Sequence, residues 1–596
     1  MSSATDIDYL VVGAGPAGAS LAAFLGQNGL KGVVIAKAPS TADTPRAHVF
    51  NPFALETLRD LGVEQDAIAH GMRGDTFQSF RWCRSMVGEE YAKVLAWGAH
   101  PSSMGDLARA TPCEYLDLPQ SYLEPILVRY ASTHGFHFRF STELLSVEEV
   151  PGTSESLCTI RDLISQHEFQ FRAKYVFGAD GARSQVARIL GLKYLVEPRP
   201  GNATNVILKV DLSHIMSKER YSGLHNIIQP DRKNFPGMVA IMRPIRPWDQ
   251  WILVCNSPGE VDPFKGLTPQ SPVLLDLVHE IIGDDSVDVE ILKLDPWAVR
   301  ESVAETYSVE GRNIFILGDA AHRHPPAHAN GSNTCVQDAY NLAWKVAYVA
   351  KGLAGSKLLD SYSVERQPAG ATLVREANQQ LRAHVHTWRV LGGFSSTPEE
   401  GMRQIGELYE ATPEGERRRA RFHEALEEKR RECENLGLSM NQWYNSSAVY
   451  LDDEKSPRPA IDGDPVVKIL ISTYPGNRLP HAWLDVSTRR KQISTHDLAG
   501  HGSFCLFIGH GGEAWRKAAA SIADATGIPI KTYGIGLGLD YVDVYRDWYK
   551  NREVGEEGCV LVRPDRFVAW RSANMIPDCE GKLQQVFHSI LSREGL

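Results

Sequence analysis

Three glycine-bearing strings hold residue types that could act together on one ligand. The first, Gly13-Ala14-Gly15-Pro16-Ala17-Gly18, follows an apolar run and precedes an Ala/Leu-rich stretch. In such a turn the first glycine permits the bend, the second lets backbone approach a pyrophosphate, and the third lets the helix lie against the strand. The helix start that follows offers free N–H groups and partial positive charge to phosphates. Gly13, Gly15, Ala17 and Gly18 are therefore expected to bind a dinucleotide. The second string is Gly178-Ala-Asp180-Gly181-Ala-Arg183-Ser184. The third is Gly318-Asp319-Ala-Ala-His322-Arg-His324-Pro325-Pro326, followed by Gly331-Ser332-Asn333. One departure stands out. The acidic residue that usually closes the second strand and takes the ribose hydroxyls is missing, with Ala36 and Lys37 in its place. Ribose recognition must come from elsewhere. His322, His324 and His328 suggest a metal by count, but no Asp, Glu or Cys stands at ligand spacing, and no metal is expected.

These residues need a scaffold, and its pattern is readable. The run 8–12, the glycine turn, the helical stretch 19–29 and the buried run 32–35 form a βαβ unit, which implies a parallel sheet. The run 175–181 repeats the apolar-then-glycine pattern, and 313–317 ends at Gly318-Asp319 in the same way. A helix is expected over about 332–351. Between these, 204–254 alternates apolar and polar residues with turn signals such as Pro230-Asp231, and predicts an antiparallel sheet. Residues 396–440 are dense in Glu, Arg and Lys, which predicts a solvated helix face with i,i+4 pairs. Beyond 463 the strands 503–508 and 558–562 and a helix near 513–526 predict a separate small α/β domain.

The three strings, in this order and spacing, resemble the aromatic-hydroxylase family of flavoprotein monooxygenases, whose founding member is 4-hydroxybenzoate hydroxylase. Thr44-Pro-Arg46-Ala-His48, Asp117-Leu-Pro-Gln120 and Arg246-Pro-Trp248 extend the likeness toward the phenol and dichlorophenol monooxygenase branch. The resemblance is strong over about 5–390 and reaches the tail, which is similar to the thioredoxin-like domain of phenol hydroxylase but carries no CxxC. It implies an α/β plus α+β fold. A Rossmann-like FAD-binding domain would take about 1–200 and 290–395, an interleaved antiparallel-sheet substrate domain 201–289, a charged helical connector 396–462, and a thioredoxin-like domain 463–596. The tail is expected to serve packing or oligomer contacts rather than redox chemistry.

The same resemblance implies the site. FAD would lie on Gly13, Gly15 and Gly18, with Arg46 at its phosphates or ribityl chain and Gln120 on its flavin side. Asp319 would bind ribityl hydroxyls. Pro326 belongs to the loop around the flavin, and the backbone of Gly331, Ser332 and Asn333 would face the flavin N1/O2 edge. Asp180 and Arg183 would meet FAD and, transiently, NADH or NADPH, for which no second GxGxxG exists. The family pattern often has glycine where Ala329 stands, and His328 is unusual beside it.

Reduced FAD and O2 would give an electrophilic C4a-hydroperoxide, which must be kept from water and met by an electron-rich ring. Deprotonating a phenol enriches the ring, so a general base is wanted. His48, two residues after Arg46, is the candidate, with an ordinary pKa near ~6.5. Tyr221, His225 and Arg243, in or beside the sheet expected to roof the substrate, are candidate phenolate binders. Trp248 and Trp251 read as structural.

Composition bounds the rest. A chain of 596 residues exceeds one core of roughly 250–300 and implies several domains. Its 43% hydrophobic and 23% charged residues are ordinary for globular proteins, and a net charge of -10 argues against nucleic acid or an anionic membrane as partner. Nine scattered cysteines fit reduced thiols in a cytoplasmic enzyme, and the short polar start is no signal peptide. The expected partners are a phenolic small molecule and O2, in a homodimer or other homo-oligomer. Within the family the alternative is a tailoring enzyme that hydroxylates a larger phenolic natural product with loss of CO2 or of aromaticity. Outside it, the alternative is a non-catalytic flavin-binding protein. A halogenase would need a WxWxIP string, which is absent.

Overall fold

The computed structural model describes residues 4–196, 202–257, 262–298, 301–309, 311–486 and 492–593. Three sheets organise it. The first has seven strands: Phe136–Arg139, Gly32–Ile35, Thr5–Val12, Glu168–Gly178, Ser156–Asp162 and Thr142–Glu149 in that order, with Ile314–Ile316 also pairing Glu168–Gly178. Its central strands are parallel, and both its faces are covered, so they read as continuous apolar runs. The register explains why three distant strings meet. Val12 pairs with Ile35 and Gly178, and Gly178 pairs with Ile316. The turns at Gly13, at Ala179-Asp180 and at Leu317-Gly318 therefore leave the sheet at one edge, the carboxyl ends of the strands, where ligands bind in open α/β sheets.

The second sheet also has seven strands, ordered Glu290–Ala298, Asn202–Lys209, Gln250–Ser257, Val239–Arg246, Leu224–Ile227, Ser79–Cys83 and Glu90–Leu95. It is antiparallel except where Leu224–Ile227 runs parallel to Ser79–Cys83. The alternation over 204–254 thus marks only its middle. Two strands come from 79–95, a stretch assigned from the sequence to the cofactor-binding unit. One face buries Met242, Trp251, Leu253 and Cys255 against the helix Pro272–Ile282.

The connector contains the helices Pro398–Gly406, Pro413–Cys433 and Leu436–Met440. Many of its charges pair along the surface, as in Arg417–Glu414. The solvated-face expectation fails at one stripe: Lys429, Glu432 and Glu434 are buried, because this helix closes over the aromatic side of the second sheet.

The last sheet runs Ile530–Gly534, Phe504–Ile508, Cys559–Val562, Val568–Ser572, flanked by Glu513–Thr526 and Cys579–Leu591. The first pair is parallel and the others antiparallel, a thioredoxin-like order. Its cysteines are buried and unpaired. Fully buried Arg563 bridges to Glu365 at 2.6 Å and to Asp565 at 2.5 Å, locking this unit onto the helix Asp360–Val390. No helix among the described residues is long and apolar enough to cross a membrane.

Candidate active site

The three glycines of the first turn divide by geometry. Gly13 has φ +111°, and a Cβ there would lie 2.1 Å from the Ala179 carbonyl oxygen. A Cβ on Gly18 would lie 1.9 Å from the Gly13 oxygen. Both are glycine for reasons of folding. Gly15 has an ordinary backbone, φ -70°, and a Cβ there meets nothing nearer than Glu124 Oε1 at 3.8 Å. That open face, at the N-terminus of the helix Pro16–Gln27 with no side-chain cap, is free to receive an anionic group.

A second open helix start faces the same region. Gly331 begins the helix Gly331–Ala350, which has no side-chain cap, and a Cβ on it would find only the His324 ring at 3.8 Å. Ser332 Oγ is buried without a partner among the described residues. Asn333 braces the fold locally. Its amide nitrogen donates to the carbonyls of Val49 and Ala329, both at 2.8 Å, and its amide oxygen accepts from Asn51 N at 2.9 Å. Asp319 is exposed, on the turn whose Gly318 (φ +61°) packs against Ala17 and Cys335. Two uncapped helix starts, an exposed carboxylate and an orphaned hydroxyl fit a flavin dinucleotide, of which Gly15 would hold the diphosphate, Asp319 the ribityl chain, and Gly331 and Ser332 the pyrimidine edge.

Other expected cofactor residues are held in specific ways. Arg46 makes two 3.2 Å hydrogen bonds to Asp295 and stays largely exposed. Gln120 donates to Glu124 Oε1 at 2.6 Å, and Ala42 N donates to the other oxygen. Glu124, unassigned in the sequence, is thus a buried carboxyl beside Gly15, with its pKa raised by burial. Asp180 is committed locally. It accepts from Ser184 Oγ at 2.5 Å, Gln185 N at 2.6 Å and Val186 N at 3.2 Å, anchoring the helix Gln185–Ile189. Arg183 is exposed and lines a recess with Arg188 and Arg323. Where the ribose acid is missing, Lys37 pairs with Glu143 at 2.8 Å.

The loop 324–330 connects these parts. Pro326 lies at its turn, and His328 (φ +64°) and Ala329 (φ +53°) both adopt left-handed backbone, which explains the preference for glycine at such a position. The three loop histidines diverge. His322 Nε2 meets the buried carboxylate of Asp338 at 2.8 Å, a partner 16 positions away in sequence. His324 Nδ1 bonds the Pro325 carbonyl at 2.7 Å, and the His328 carbonyl accepts from Asn435 at 2.9 Å.

His48 and Arg243 converge on one carboxylate. The two-residue strands Val49–Phe50 and Leu116–Asp117 pair, Val49 opposite Asp117. His48 Nδ1 lies 3.4 Å from Asp117 Oδ1, and Arg243 Nη2 lies 2.8 Å from Oδ2. Asp117 is fully buried. Burial alone would raise its pKa, but Arg243 and His48 overcome this and hold it below the usual range. The His48 pKa is shifted down, first by burial and then by Arg243, which favours the neutral imidazole. Nδ1 faces the carboxylate, and both imidazole nitrogens are buried without a hydrogen-bond partner among the described residues. The sequence marks Asp117 only as the head of the Asp117-Leu-Pro-Gln120 string, which assigns it no role of its own.

Tyr221 and His225 do not join this group. His225 pairs with Met242 across the strands, so the two share a face, and Arg243 points to the other. His225 packs on Trp251, and Tyr221 stacks on Trp248 at 4.8 Å, within the cluster that holds Met242 and Trp251. The sequence grouped them with Arg243 because a period of two cannot say which of two buried faces meets the cofactor. The Arg243 face instead carries Phe80, Trp82, Leu224, Asn226 and Ile241.

Comparison with known proteins shows the family. Residues 6–377 match the family described as FAD binding domain, and 472–593 match the aromatic-ring hydroxylase C-terminal family. The chain is 38% identical to phenol 2-monooxygenase of Pseudomonas sp. (strain EST1001), over 98% of this chain and 93% of that protein. It is 35% identical to 2,4-dichlorophenol 6-monooxygenase of Delftia acidovorans, over 98% of each. The crystal structure of the flavin-dependent monooxygenase PieE with FAD and substrate superposes with a TM-score of 0.92 at 33% identity, over 98% of this chain and 99% of that one. Aklavinone-11 hydroxylase with FAD and aklavinone gives 0.77 at 28% identity, over the full length of both. This chain belongs to the family of FAD-dependent aromatic-ring hydroxylases.

Proposed function

We propose that this FAD-dependent monooxygenase hydroxylates a phenolic ring, with NAD(P)H as transient reductant and O2 as co-substrate. The observation that carries the phenol assignment is the buried line His48–Asp117–Arg243, which ends in an orphaned imidazole nitrogen. FAD, held by Gly15, Asp319, Gly331 and Ser332, supplies the activation of oxygen once reduced. The chain's own residues prepare the ring. His48 Nε2 takes the phenol proton, and Asp117 holds the ring tautomer and stabilises the imidazolium that forms. Arg243, beside Asp117, offsets the added negative charge of a phenolate. Phe80, Trp82, Leu224 and Ile241 exclude water.

The recess of Arg183, Arg188 and Arg323 supports a site for the phosphates of NAD(P)H, since it gathers cations beside the turn that bears Asp319. Nine buried, unpaired cysteines suit a cytoplasmic enzyme. A second reading, hydroxylation of a larger phenolic compound, is favoured by the full-length likeness to aklavinone-11 hydroxylase. The deciding experiment incubates the holoenzyme with NADH or NADPH and a panel of phenols, and weighs the products. One added oxygen is expected, without or with loss of CO2. If no phenol is modified and none accelerates NAD(P)H oxidation, the proposal fails.

A further inference from the structure

The tail unit meets the rest of the chain through a hairpin turn that would ordinarily lie in solvent. Arg563, Pro564, Asp565, Arg566 and Phe567 link the strands Cys559–Val562 and Val568–Ser572, and Arg563 N donates to the Phe567 carbonyl at 2.7 Å. Loops run over the surface because a buried one must find partners for its polar groups. Here all five residues are buried, and three of them are charged. Arg566 also holds left-handed backbone, φ +63°. Such a turn stays inside only because of what it bonds.

It bonds two helices away from the ends that face the site. The helix Pro52–Asp60 receives Arg566, whose Nη1 donates to the Glu56 carbonyl at 2.8 Å and whose Nη2 lies 3.0 Å from Asp60 Oδ2. The helix Gly331–Ala350 meets Asp565, which accepts from Asn341 at 3.2 Å. Tyr340, on that second helix, joins both helices to the turn: its hydroxyl lies 2.8 Å from Asp60 Oδ2 and 3.2 Å from the Pro564 carbonyl oxygen. The other ends of the two helices are tied to each other. Asn51, the N-cap of the first, donates from Nδ2 to Asn330 Oδ1 at 2.8 Å, and its backbone N–H donates to Asn333 at 2.9 Å. Asn51 follows His48 closely in the chain, and Asn330 precedes Gly331. From Gly331 to Tyr340 the helix runs about 14 Å, at ~1.5 Å per residue. Phe567 reaches further, with its ring 6.1 Å from that of Phe53 and within the hydrophobic cluster that holds Val49, Phe80 and Trp82.

Apolar faces tolerate small slides, whereas a buried ion pair or hydrogen bond holds one geometry, since a displaced partner leaves a desolvated polar group. We propose that this hairpin is a wedge that positions the active site: Arg566 and Tyr340 are positioning residues that fix the spacing of the two helices, and through it the placing of His48 against the FAD-receiving start at Gly331. The 463–596 unit thereby serves the site without redox chemistry of its own, its cysteines being buried and unpaired. The FAD part of this inference stands on the family, and the His48 part rests on the phenol-hydroxylase reading.

The test pairs two conservative variants with a control in the same unit. Tyr340→Phe removes one hydroxyl and keeps the ring. Arg566→Lys keeps the charge but cannot reach Glu56 and Asp60 together. Arg571→Met is the control, since the ion pairs of Arg571 go to Glu454 at 2.7 Å and Glu553 at 2.6 Å, on neither helix. Two quantities are read on the full chain: the FAD dissociation constant, by fluorescence titration, and coupling, the share of oxidised NAD(P)H that appears as hydroxylated phenol. Tyr340→Phe and Arg566→Lys should weaken FAD or lower coupling by about threefold or more, in protein that thermal melts show to be folded. Arg571→Met should lower the melting temperature and leave both quantities at wild-type values. The proposal is overturned if neither quantity moves in Tyr340→Phe or Arg566→Lys, or if Arg571→Met moves them equally, for then the unit contributes stability alone. If Arg566→Lys does not fold, Tyr340→Phe decides. If the wild type makes no hydroxylated phenol, the phenol-hydroxylase reading falls alone, and the FAD measurement still decides the wedge.

Discussion

His48 Nδ1 stands 3.4 Å from Asp117 Oδ1, and both side chains are sealed from solvent. The contact lacks hydrogen-bond alignment, as catalytic contacts often do before the substrate arrives. His48→Ala should therefore retain FAD and lower kcat on phenol by roughly 10²- to 10⁴-fold near neutral pH, the usual worth of a general base. The loss should shrink as pH approaches about 10, where a phenol ionises unaided. Stopped-flow turnover across pH checks this; equal loss at all pH values would remove His48 as the base.

Arg243 pushes the His48 pKa down, after burial. Replacing it by Gln should move the acid limb of kcat/KM to higher pH, because the imidazolium no longer faces a cation. The stability linkage has its own sign. The folded protein disfavours His48 protonation, while the unfolded chain takes a proton near 6.5. The contribution of His48 to stability is present above 6.5 and is lost as pH falls through the lower folded value. Denaturant titrations between pH 7 and 5 should show a shallower decline in His48→Ala.

Gly15→Ala and Gly13→Ala should fail differently. Gly15 has a backbone that alanine adopts, and space for a methyl, so Gly15→Ala should fold with unchanged melting temperature as apoprotein. Its methyl would occupy the open face proposed to receive the diphosphate, weakening FAD by about 10-fold or more. Gly13→Ala would drive a Cβ into the Ala179 carbonyl at φ +111° and should yield little soluble protein. Fluorescence titration of FAD and thermal melts separate the two cases.

Arg563 sits fully buried between Glu365 and Asp565. Arg563→Met leaves Asp565 without a cation, held by Asn341 alone, and Glu365 reliant on Lys345, Asn341 and Ser446, at a cost of about 3–5 kcal/mol. A clear drop in melting temperature is expected, with early exposure of the 463–596 unit to protease. Unchanged melting would show that this unit is held by its other contacts, among them Arg59–Asp497 and Arg566–Asp60.

The sequence by itself determined the cofactor turns. A phosphate-binding turn is a local object, its glycines set by backbone contacts within a few residues, so Gly13, Gly15, Gly18 and Gly318-Asp319 declare themselves in order along the chain. It also declared the parallel sheet, whose buried runs are continuous. Three things waited for tertiary structure. Arg243 reaches Asp117 across 126 positions, a pairing no spacing rule encodes. His225 and Arg243 lie on opposite faces of one sheet, and a period of two leaves the choice of face to whatever packs against it. The buried stripe of Lys429 and Glu432 hides in a helix that is charged all round, because burial there depends on Phe80 and the sheet above it. Local chain geometry placed the glycine turns, and long-range packing chose which polar side chains meet at Asp117.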